Sequence, residues 1–100
     1  MPAIHVSVPH QLSQDEALKR IRRAIAQAKD QNPDKVRELK EEWNGYAGTF
    51  SASAMGYSAS GSVAVNPSDV VVETTLPLIA SPFKGTIEAK IRDMLARLLA

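Results

Sequence analysis

Between Tyr46 and Leu76 the chain changes sides at almost every residue. Tyr46, Gly48, Phe50, Ala52 and Ala54 alternate with Ala47, Thr49, Ser51 and Ser53. Tyr57, Ala59, Gly61, Val63 and Val65 alternate with Ser58, Ser60 and Ser62; Val70, Val72, Thr74 and Leu76 alternate with Val71, Glu73 and Thr75. A period of two marks a half-buried strand. Only turn chemistry separates the runs: Asn44-Gly45, then Met55-Gly56, then Asn66-Pro67-Ser68-Asp69. Connections this short join antiparallel neighbours. The stretch is therefore expected to be an antiparallel meander with one apolar face and one Ser/Thr face in water. Its glycines are expected to narrow the surface, so that a helix can approach or a strand can bend.

What flanks the meander completes the pattern. Ile4, Val6 and Val8 alternate with His5 and Ser7, a first strand ended by Pro9. Ser13 followed by Glu16 reads as a capping box, and Asp15 and Glu16 suit the positive end of a helix. Ala17, Leu18, Ile21, Ala24, Ile25 and Ala28 then form one helical stripe, predicting a helix from about 14 to about 30. At the other end Phe83, Ile87, Ile91, Met94, Leu95 and Leu98 mark one face of a second helix, with Ser81 as N-cap and Pro82 as first helical residue. Gly85 in its first turn costs roughly 1 kcal/mol against alanine, which points to close backbone contact with the sheet. Residues 33–43 admit two readings. Asn32-Pro33 can start a helix carrying Val36, Leu39 and Trp43. Alternatively Asn44-Gly45 closes a two-residue hairpin with both turn residues at positive φ, and then about 36–43 is a strand. The hairpin reading is preferred, with a strand too charged to be central.

The expected fold is α+β: one domain over residues 1–100, ordered β-α-β-β-β-β-α, with both amphipathic helices on one face of one antiparallel sheet. In shape this is a reduced helix-grip arrangement. Five aromatics leave the core to aliphatic packing.

Composition removes several functions. A formal net charge of +1 with no basic block argues against nucleic acid. With no cysteine there is no disulfide or thiol chemistry. The start "MPAIHVSV" lacks the charged head and long apolar run of an export signal, and no apolar stretch approaches the ~20 residues of a spanning helix. His5 and His10 are the only histidines, too few for a metal site without cysteine; His10 is expected to bond nearby backbone or Asp15. Lys84-Gly85 lacks the glycine-rich loop of a phosphate cradle, so Pro82 is read as setting the helix entry and Phe83 as pinning its start to the core. Glu41 and Glu42 point to opposite faces of a strand and cannot share a substrate; Glu41, beside Leu39 and Trp43, needs a basic partner. No Gly-x-Ser-x-Gly elbow occurs. Trp43 is a core-edge anchor or a contact residue, the anchor being preferred. The run "KRIRR" from Lys19 to Arg23 reads as a solvated face.

Three segments carry a resemblance: "PHQLSQDEA" from Pro9, "EEWNG" from Glu41 and "LPLIASPFKGTIEAKI" from Leu76. Together they resemble the putative polyhydroxyalkanoic acid system proteins, small bacterial proteins that accompany genes for storage polyester granules. The strongest parts are Trp43-Asn44-Gly45 and the junction of Leu76-Pro77 with Pro82-Phe83-Lys84-Gly85; His10 lies in the first segment. The resemblance brings no catalytic residues and no cofactor. It implies a cytoplasmic protein, on storage granules or regulating them, whose partners are the granule surface or granule proteins. The expected function is thus a non-enzymatic accessory of polyester storage. The alternative is a binding module for a small apolar ligand, a fatty or hydroxyacyl group. Exposed sheet edges leave homodimerisation open.

Overall fold

The computed structural model describes residues 3–31, 40–54, 57–76 and 78–100. Strand β1 is Ala3–Pro9, helix α1 is Gln14–Gln31, and four strands follow: β2 Lys40–Asn44, β3 Ala47–Ala54, β4 Tyr57–Val65 and β5 Asp69–Thr75. A 3-10 helix, Leu78–Phe83, leads into helix α2, Lys84–Leu98. All five strands form one antiparallel sheet in the order β1-β5-β4-β3-β2. The expected α+β architecture is therefore the observed one. The strand expected over about 36–43 is seen at Lys40–Asn44; its earlier part, like Pro77, lies outside the described residues.

The topology follows from where the chain must travel. β1 and β2 run in the same sense at opposite edges of the sheet, about 19 Å apart at the usual strand spacing. The 18 residues of α1 span about 27 Å, enough to carry the chain over the sheet in one element. Its start is fixed by Ser13, whose Oγ accepts from the Glu16 amide at 3.1 Å. The reciprocal half of the capping box is replaced: the Glu16 carboxylate accepts from Arg20 Nε at 3.2 Å instead.

The alternation in sequence becomes cross-strand rows. Val6, Val72, Val63, Gly48 and Trp43 stand opposite one another across all five strands. Val8, Val70 and Val65 form the next row. With Ile4 and Leu76 from the strand side, and Ala17, Ile21, Leu95 and Leu99 from the helical side, they make one aliphatic core. Each fully buried Val or Leu contributes roughly 1.5–3 kcal/mol, so this face supplies most of the burial that the chain can achieve.

Several local expectations need correction. The two-residue loop is Gly45-Tyr46 rather than Asn44-Gly45, because Asn44 still pairs with Ala47. Gly45 at φ +63° takes the first central position, where a hairpin turn needs positive φ. The approach to Gly48 is made by the Trp43 ring, not by a helix; a Cβ there would stand 2.8 Å from the indole. Helix α2 starts at Lys84, and Ser81 and Pro82 lie in the 3-10 helix, with no side-chain cap on α2. Consequently Phe83 does not pin the helix start: it is 60% exposed, and nothing lies within 4 Å of a Cβ placed on Gly85. The buried stripe of α2 runs through Ile87, Ile91, Leu95 and Leu98, continuing into Leu99. Met94, at the margin of that stripe, is 58% exposed.

The basic run also differs from a solvated face. Arg20 Nη1 donates to the carbonyls of Leu98 and Ala100, at 3.1 and 2.8 Å, so it satisfies the C-terminal end of α2 and joins the two helices. The Arg22 guanidinium lies 5.8 Å from the centroid of the Trp43 ring, within cation–π range. At the start of α1, Asp15 accepts a 2.5 Å hydrogen bond from the Tyr46 hydroxyl, tying the β2–β3 turn to the helix.

Gly48→Ala is expected to lower stability by about 1–3 kcal/mol, because the indole must move to admit a methyl group. Urea unfolding followed by the emission of Trp43, the sole tryptophan, reads both effects; an unchanged midpoint and spectrum would refute the packing. Hydrogen bonding to Asp15, together with its charge, holds the Tyr46 hydroxyl above its usual value of 10.0. A raised acid stabilises the fold below its unfolded value and loses that contribution as pH rises through the folded one. The stability gap between the wild type and Tyr46→Phe should therefore be present at neutral pH and shrink above about pH 10; a gap constant with pH contradicts the bond.

Candidate functional site: a hydroxyl-lined groove and an apolar turn

The face of the sheet turned away from the core holds a concavity of about 920 Å³, whose described lining residues all belong to strands. Alternation puts His5, Glu73, Ser62, Thr49 and Glu42 in one row across the five strands. The next row carries Ala3, Thr75, Ser60, Ser51 and Lys40, with the Thr75 and Ser60 hydroxyls 3.4 Å apart. The centre of the groove is hydroxyls and its two ends are charged groups. At one end His5 Nδ1 lies 3.0 Å from Glu73 Oε1. Thr75 Oγ1 donates to the Ser60 carbonyl at 3.2 Å. Thr49, Ser51 and Ser62 have no side-chain hydrogen bond among the described residues, so their hydroxyls face the groove with donors and acceptors free.

The second feature is at the entry to α2. Leu78 is 72% exposed, Ile79 61% and Phe83 60%. Three large apolar side chains are thus exposed close together along one six-residue 3-10 helix, leaving it on different sides at three residues per turn. Proline at position 82 limits the backbone freedom of this turn.

The residues singled out from the sequence do not converge on one site. Trp43, Asn44 and Gly45 lie at the β2 edge, while Leu76, Pro82, Phe83, Lys84 and Gly85 lie near the other end of the strand order. Trp43 is the core-edge anchor, half-buried against the aliphatic cluster. Its Nε1–H is buried and finds no acceptor among the described residues. Leu76 belongs to the core. His10 is buried and structural: Nδ1 accepts from the Leu12 amide at 3.1 Å, which places the proton on Nε2, and Nε2 donates to the Asn66 carbonyl at 3.0 Å. It thereby fastens the β1–α1 loop to the β4–β5 turn, through backbone and not through Asp15. Glu41 and Glu42 fall in neighbouring rows on opposite faces, as the strand period requires.

The groove residues do not stand out in the sequence, because a Ser/Thr face is the ordinary wet side of a sheet. The signal that could have found them is register: once Ser62 is set opposite Thr49 and Glu73, the hydroxyls fall into a row. Among the described residues no group of three His, Asp or Glu side chains could hold a metal ion. No helix among the described residues is long and apolar enough to cross a membrane.

Among solved structures, the crystal structure of TTHA0849 from Thermus thermophilus is similar to this chain, with a TM-score of 0.45 and 12% identity over 98% of this chain and 92% of that one. No curated protein matches the sequence. A family model described as putative polyhydroxyalkanoic acid system protein matches residues 4–99. That match runs from Ile4, the first core residue of β1, to Leu99, the last core residue after α2, so it takes in the whole sheet-and-helix unit. The chain belongs to the putative polyhydroxyalkanoic acid system protein family.

Proposed function

We propose that the protein is a non-enzymatic accessory of polyhydroxyalkanoate storage that attaches to the granule surface through the apolar turn of Leu78, Ile79 and Phe83. The observation that carries this reading is the exposure of those three side chains in a member of this family. Burying them would contribute on the order of 3–6 kcal/mol before the cost of immobilising the protein. Attachment by one copy is then weak and reversible, and a surface offering many equivalent places suits it better than a single deep pocket.

The non-enzymatic part is supported by what the histidines do. Among the described residues neither ring is hydrogen-bonded to a serine or threonine hydroxyl, so neither histidine is paired with a hydroxyl nucleophile. The alternative of an enclosed apolar-ligand site gains no support from the groove or from a smaller hollow at Trp43 and Gly48, since neither draws any lining from α1 or α2.

Sedimentation with purified polyester granules tests the reading. The wild-type chain should be recovered in the pellet at low salt without detergent. Leu78→Ser combined with Phe83→Ser should shift it to the supernatant, without loss of fold because both side chains are already in water. Wild-type protein remaining wholly in the supernatant would overturn attachment.

A further inference from the structure

The helix-free groove is separate from the apolar turn and has its own chemistry. Its lining comes from every strand of the sheet, so it extends from one edge to the other, about 19 Å, and is open rather than capped. Such a shape accepts a length of chain. We propose that the groove binds an extended, uncharged polyester segment lying across the strands, with ester carbonyls accepting hydrogen bonds from the hydroxyls of Thr49, Ser51 and Ser62. The choice of a polyester rests on the storage role proposed above.

The match is one of functional groups. A polyester chain has acceptors and no donors, so a surface that holds it must supply donors. Thr49, Ser51 and Ser62 do so with hydroxyls free to rotate, whereas Thr75 has already committed its proton to the Ser60 carbonyl. Thr49 and Ser62 face each other across neighbouring strands about 4.8 Å apart, and Ser51 follows Thr49 two residues along β3, about 6.8 Å away. Thr49 also carries a methyl group, and those of Thr75 and Ala3 lie beyond Ser62 toward the β1 edge, where they suit the alkyl parts of the same chain. The described charged lining is Lys40 against Glu41, Glu42 and Glu73, with His5 at 3.0 Å from Glu73, so the groove does not attract a polyanion. Among the described lining residues the only aromatic ring besides His5 is that of Phe50, and it rests against Gly61 on the core face. A sugar or a nucleobase would find no open ring face to stack on at the centre of the groove.

The test is an NMR titration of the full chain with an end-capped oligomer of 3-hydroxybutyrate. Saturable amide shifts are expected in 49–51, 60–62 and 73–75. Thr49→Val with Ser62→Ala should weaken binding roughly tenfold by removing two hydrogen bonds, with the unfolding midpoint unchanged. Thr49→Val alone, nearly isosteric and on an exposed strand position, should show a smaller weakening and guards against misfolding of the pair. The proposal is overturned by absence of saturable shifts, by unaltered affinity in the double variant, or by the same shifts from an uncharged peptide of equal length. The Leu78→Ser, Phe83→Ser protein should still bind the oligomer while leaving granules. Loss of oligomer binding there would move the site to the turn and refute the groove, so attachment and groove binding fail separately.

Discussion

The structure depends on one sheet face being aliphatic in every strand that can reach the centre. Val6, Val72 and Val63 meet in one row and Val8, Val70 and Val65 in the next because each strand keeps the period of two in the same phase. A slip of one residue anywhere would send a row of valines into water and bring His5, Glu73 and Ser62 inside. The helices supply the other half of the core through few residues: Ala17 and Ile21 from one, Leu95 and Leu99 around the end of the other. In a chain of 100 residues, a core this thin leaves little margin for error in register.

Around that core, polar groups act as fasteners. Arg20 bonds the terminal carbonyls of α2 and so converts two separately packed helices into one layer. His10 closes the end of the sheet where the first strand leaves it, using both ring nitrogens on backbone groups. Tyr46 holds the hairpin tip to the first turn of α1. Each fastener joins segments far apart in sequence, which is where loop-closure entropy most opposes order.

The meander, α1 and the edge position of β2 are legible in the sequence because periodicity and turn residues act locally. Asn44-Gly45 announces a hairpin, but which two residues occupy its tip depends on pairing, and Asn44 keeps its place in the ladder. The start of α2 escapes local reading for a related reason. Ser81-Pro82 has the chemistry of a helix start, yet the chain winds a 3-10 helix there and begins α2 at Lys84. That turn leaves Phe83 outside the stripe that faces the sheet, and no spacing rule shows it. The partners of Arg20 are invisible altogether, since helix-to-helix contacts across the whole chain leave no local trace. Of the candidate sites, the residues that resemble the family are largely architectural, and the hydroxyl groove is hidden by its ordinariness.

The groove floor has a consequence for how such a protein can change. Thr49, Ser51 and Ser62 contribute almost nothing to the interior, and the side chains that do are all on the reverse of the same strands. One surface is therefore bound to the folding problem while its opposite is uncommitted. Amino-acid replacements on the uncommitted side are tolerated as long as they keep strand propensity, so its selectivity can drift without endangering the scaffold.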